Sequence, residues 1–122
     1  MHRYQPRLHI VKTNDLIKIP SDIPIESAAT LSVNPCTAYR LLKDFVTLEK
    51  GDTIIQNGAN SSVGQAVIQI AKLWNFNVVN IIRNRDQGMT ELVDYLKSLG
   101  AEHIYVEEDL RKGLFLKMKI YF

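Results

Sequence analysis

The chain is predicted to be α/β: a partial Rossmann-type, doubly wound parallel sheet, one βαβαβ half, preceded by a short strand and helices. Three observations predict it. Short β-branched runs alternate with segments of helical spacing. A glycine-bearing turn, "NGANSSVG", joins the first of those runs to the first such segment. The 122 residues are 46% hydrophobic and 23% charged, the composition of a globular chain of one domain at most.

The chain opens with a leader, residues 1–15, that matches no pattern. In "NDLIKIPSDIPIESAATLS" the alternating residues Leu16 to Ile19 predict a short strand, which Pro20 and Pro24 end; Ser21 or Asp22 starts a turn, and Glu26 to Leu31 predict a short helix. In "NPCTAYRLLKDF" the Asn34 side chain suits an N-cap and Pro35 the first helical position, where no amide donor is needed. A helix to about Phe45 follows, with Ala38, Leu41, Leu42 and Phe45 on one face. Cys36 is expected there as a small buried residue rather than a nucleophile. Gly51 marks the next turn.

"TIIQNG" reads as a strand, and "SVGQAVIQIAKLWN" as a helix with Val63, Ala66, Val67, Ile70, Ala71 and Trp74 at spacings of three and four. "NVVNIIR" reads as a second strand. The order strand, helix, strand implies a parallel pair joined by a right-handed crossover. A further helix from about Thr90 to Leu99 is stopped by Gly100, a preferred residue just past a helix end. "AEHIYV" supplies the third strand.

Bulk properties exclude several classes. Fifteen basic and thirteen acidic residues, net charge +2, are mixed along the chain, so neither a nucleic-acid footprint nor a membrane-binding face is expected. No apolar run approaches the ~20 residues of a membrane span. A single cysteine excludes an intramolecular disulfide and leaves no cluster with metal-ligand spacing, so no metal is expected. Partners are expected to be small molecules or protein.

The turn carries the chemistry. A nucleotide fingerprint uses one glycine for the tight turn, one for close approach to a pyrophosphate and one for helix–strand packing. From Gly58 this chain reads G-A-N-S-S-V-G. Gly58 suits the turn and Gly64 the packing, while the middle place is taken by Asn60 or Ser61, whose side chains can donate to phosphate oxygens. The helix start behind them favours an anion. A polar loop without ligand fits the same pattern. Where a site for NAD would carry an acidic residue, about 20 residues past the glycines, the chain carries "RNR", Arg83 to Arg85. A guanidinium pairs with a 2′-phosphate, which points to NADP(H); two solvated charges at a strand end are the alternative.

Three stretches, "IPSDIPIESAATLSVNPCTAYRLL", "GDTIIQNGANSSVGQAVIQIAK" and "LKSLGAEHIYVEEDLR", closely resemble the mitochondrial enoyl-acyl-carrier-protein reductases, or trans-2-enoyl-CoA reductases, of the zinc-free medium-chain dehydrogenase/reductase superfamily. The resemblance covers about residues 16–111 and implies part of an NADP-binding Rossmann domain. It implies NADPH-dependent saturation of a trans-2-enoyl thioester, carried on acyl carrier protein or CoA, in mitochondrial fatty-acid synthesis. It also implies a homodimer and a mitochondrial location. By motif position Asn34 would lie by the cofactor. Asn60, Ser61, Ser62 and Val63 would line its pyrophosphate, and Arg83, Asn84 and Arg85 the 2′-phosphate side. Ser62 replaces a frequent glycine, and Asn84 a common aspartate.

Family members are much longer, and the GroES-like domain that carries their catalytic tyrosine has no match here. Neither Tyr4 nor Tyr39 inherits that role, so no catalytic residue is assigned. The tail, residues 112–122, diverges from the family. The alternative expectation is therefore a catalytically inactive truncated form that at most binds NADP(H) or a partner chain.

Overall fold

The structure, a computed structural model, describes residues 10–111. Helix α1 spans Ile25–Thr30, α2 Asn34–Lys43, strand β1 Thr53–Asn57, α3 Ser62–Trp74, β2 Asn77–Ile82, α4 Met89–Leu99, β3 His103–Val106 and α5 Glu107–Arg111. The strands form one parallel sheet in the order β1-β2-β3. The predicted βαβαβ half is thus present, with each element within a few residues of its expected place.

The connections follow from local chemistry. Helix α3 ends at Asn75, whose φ of 60° is the left-handed conformation that asparagine tolerates. The amide of Phe76 then donates to the Ala71 carbonyl at 2.9 Å and turns the chain into β2. Helix α4 ends at Gly100, with φ 112° and the amide of Ala101 donating to Leu96 O at 3.1 Å. At the start of β2, the Asn77 side chain donates to the carbonyl of Gly51 at 2.8 Å and ties that strand to the turn before β1.

Helix α3 is the central element of the core, because its apolar residues cover more than one face. On one side Ala66 and Val67 pack with Ala38 and Leu42 of α2, with Leu48, Ile54 and Trp74 beside them. On the other, Ile68 packs with Ala59, Ile82, Leu96 and Ala101, flanked by Met89, Leu92 and Ile104. Burying such side chains stabilises by roughly 1.5–3 kcal/mol each before entropy is counted. Trp74 closes the lower end, edge-on to Tyr39 at 5.5 Å and to Phe76 at 5.9 Å.

Four expectations are corrected. Leu16 to Ile19 form no strand: Leu16 and Ile17 are 61% and 91% exposed, and the segment pairs with neither outer strand of the sheet. A single 3₁₀ turn at Thr13–Asp15 precedes them. Asn34 does not cap α2, which begins at Asn34 itself with no side-chain capping bond; the Thr37 hydroxyl donates to the Val33 carbonyl at 2.7 Å instead. The helix stops at Lys43, two residues short of Phe45, which is 76% exposed. Cys36 lies in the helix but is exposed, since the face that meets α3 is the one holding Ala38 and Leu42. The tail and the first nine residues of the leader lie outside the described residues.

Candidate functional site

The turn between β1 and α3 is built as its glycines demand. Gly58 has φ +60°, and the amide of Ser61 donates back to its carbonyl at 2.8 Å, closing a tight turn. A methyl group on Gly64 would lie 2.7 Å from both the Cα and the carbonyl oxygen of Ala59, so only glycine lets the helix approach the turn this closely. The amide of Ala59 donates to Ile81 O at 3.2 Å, which holds the turn against the end of β2.

Several donors at the turn are left unspent. Ser61 caps α3 by accepting from the Gly64 amide at 3.1 Å, which keeps its hydroxyl proton available. The amides of Ser62 and Val63, first in the helix, have no acceptor within it. Among the described residues the Asn60 side chain and backbone amide make no hydrogen bond. Several donors converging with the positive end of a 13-residue helix form a nest for an anion.

A cleft of about 730 Å³ opens in front of this nest, lined by Asn57, Gly58, Asn60, Ser61, Ile81, Arg83, Asn84, Arg85 and Glu107. Five of the eight residues singled out in the sequence meet here: Asn60, Ser61, Arg83, Asn84 and Arg85. Arg83 directly follows β2, and both guanidinium groups are exposed and in no ion pair among the described residues. The Asn84 side chain accepts from the Arg85 amide at 3.0 Å, shaping the corner that carries them. Ser62 and Val63 do not line the cleft; the Val63 side chain packs toward α2, so only its amide faces the nest's chemistry. Asn34, at the start of α2, is likewise not among the lining residues.

Behind the site lies a feature that periodicity did not show. Asn80 is fully buried on β2. It accepts from Gln56 Nε2 at 2.7 Å and donates to the carbonyls of Val78 and His103, each at 3.1 Å. Gln56 also donates to the Gly64 carbonyl at 3.1 Å. The chain of amides bolts the first turn of α3 to all three strands. Glu107 is the second unforeseen residue, an acid that directly follows β3 at the start of α5 and shares the cleft with the arginines. Its position after "HIYV" was the only signal available.

Fold and turn define the class: half of a Rossmann-type sheet with an anion-ready turn at the carboxyl end of its first strand. Comparison with known proteins takes this further. No family model matches the chain. It is 59% identical over 97 residues to the human protein named enoyl-acyl-carrier-protein reductase, mitochondrial, a match covering 80% of this chain and 26% of that protein. Two solved structures superpose with TM-scores of 0.65. One is a mitochondrial 2-enoyl thioester reductase Etr1p/Etr2p heterodimer from Candida tropicalis, at 44% identity, covering 73% of this chain and 24% of that one. The other is an Etr1p/NADP/crotonyl-CoA complex, at 45% identity, covering 70% and 24%.

Over most of its length the chain is similar to proteins named mitochondrial enoyl-acyl-carrier-protein reductases, and to solved enoyl thioester reductases. It spans about a quarter of the length of the relatives it matches. No helix among the described residues is long and apolar enough to cross a membrane.

Proposed function

We propose that this chain supplies the NADPH-binding half-sheet of a mitochondrial enoyl thioester reductase. The observation that carries the proposal is the meeting of the nest at Asn60 and Ser61 with Arg83 and Arg85 in one cleft. The donor set fits a dinucleotide phosphate: neutral donors and a helix start for the pyrophosphate, and a pair of fixed cations for the 2′-phosphate.

In this reading residues 16–111 are part of the NADP-binding domain. Asn60 and Ser61, with the amides of Ser62 and Val63, take the pyrophosphate; Arg83, Asn84 and Arg85 take the 2′-phosphate; Asn34 is retained on the resemblance alone. Bound NADPH would supply hydride to the Cβ of a trans-2-enoyl thioester. The chain's own groups bind and orient the cofactor. The substrate would be carried on acyl carrier protein or CoA, and the whole reductase would work as a homodimer.

A second reading, cofactor binding without turnover, is supported by the resemblance itself: every residue carried over from the family's site would be a cofactor contact, and none a catalytic group. One assay separates the two. The purified chain is given NADPH and crotonyl-CoA, and both NADPH binding and loss of NADPH absorbance are followed. Binding with consumption supports the reductase, binding alone supports the second reading, and no binding sinks both.

A further inference from the structure

We infer that Gln65 and Tyr95 are positioning residues that hold the cofactor turn through a relay from α4. The Tyr95 hydroxyl donates to Gln65 Oε1 at 3.1 Å, and Gln65 Nε2 donates to the carbonyl of Asn60 at 2.9 Å. The polarity of the relay is fixed at its far end. A backbone carbonyl only accepts, so it selects the NH₂ of the Gln65 amide, and the amide oxygen is left to face the phenol, which must then donate.

The consequence falls on Asn60. Its carbonyl is anchored to α3, while its backbone amide and side chain stay uncommitted at the lip of the cleft. The turn therefore has two tethers. One is the Ala59 amide on Ile81; the other is this relay, which reaches 30 residues along the chain to a helix that does not touch the cleft. Holding donors in place before the ligand arrives spares the entropy of ordering them on binding. Tyr95 is 48% exposed, so removing its hydroxyl leaves the packing of the ring intact.

The inference rests on the NADPH reading, and its test separates the two. NADPH and NADH are titrated into the whole chain as wild type, Tyr95→Phe, Gln65→Ala and the double variant, with thermal midpoints recorded. Tyr95→Phe is expected to weaken NADPH about three- to tenfold, the effect of one hydrogen bond, and NADH by the same factor. The preference between the cofactors and the thermal midpoint stay unchanged. On the Gln65→Ala background the same substitution has no further effect. Gln65→Glu, which can still accept from Tyr95 but cannot donate to Asn60, behaves like Gln65→Ala or worse. Additive losses, a loss confined to NADPH, or unchanged affinity would overturn the relay. A wild-type chain that binds neither cofactor overturns the functional reading instead. In that case hydrogen exchange at the amides of Asn60 to Val63 decides the relay: faster exchange in Tyr95→Phe upholds it, and unchanged exchange overturns it.

Discussion

Gln56 and Asn80 are register partners on β1 and β2, and their side-chain amides meet at 2.7 Å between the sheet and α3. Two amides in that layer are stable only because each is satisfied: no buried side-chain nitrogen or oxygen among the described residues lacks a partner. Asn80→Leu removes three hydrogen bonds at a fully buried position and is expected to cost about 2–4 kcal/mol. Gln56→Leu together with Asn80→Leu should cost less than the sum of the singles by about 1 kcal/mol, because neither amide is then stranded. Urea denaturation of the four chains measures this; strict additivity would show that the pair is not coupled.

Gly64 is the point at which the helix touches the turn. Gly64→Ala places a methyl against the backbone of Ala59, not against a side chain that can swing away. The expected cost is about 1–3 kcal/mol of stability, with NADPH binding lost because the nest opens. Circular dichroism melting and a cofactor titration check both. A variant that melts and binds like the wild type would show that the helix start has room to spare.

Arg83→Ala and Arg85→Ala separate charge from architecture. Each is expected to weaken NADPH about tenfold and to leave NADH nearly unchanged, since only NADPH carries the 2′-phosphate; the wild-type preference should also shrink as salt is raised. Equal losses for both cofactors would move the arginines from the 2′-phosphate to the pyrophosphate.

Leu41, Phe45, Val46 and Ile55, between 43% and 76% exposed, form an apolar band beside β1, which has a single strand neighbour among the described residues. A free edge next to apolar surface favours self-association. The chain is expected to associate in sedimentation, and Phe45→Lys with Val46→Lys to reduce this. A wild-type chain that sediments as a monomer at high concentration contradicts it.

Much of this was legible in the sequence. Gly58 and Gly64 announced the turn because a positive φ and a close approach each admit few residues, and both needs were found where expected. Arg83 and Arg85 were legible by distance along the chain, since β2 fixes where its next residue emerges. The Gln56–Asn80 pair was not: apolar periodicity sees "NVVNII" as a strand and says nothing of an amide's partner 24 residues away. Leu16 to Ile19 misled for the opposite reason. Alternation shows that a segment can be a strand, but a strand forms only where its backbone docks on a sheet edge, and the sequence does not show whether this segment reaches one. Cys36 misled because its helix buries a narrower face than its composition suggests.

The central claim is that the turn and the arginine corner together form one NADPH site. Isothermal titration of the purified chain with NADPH and, separately, with NADH tests it most directly. The account predicts one site per chain that prefers NADPH by about tenfold or more, with the preference abolished in the Arg83→Ala, Arg85→Ala double variant. Equal affinity for the two cofactors, or no heat with either, would contradict it.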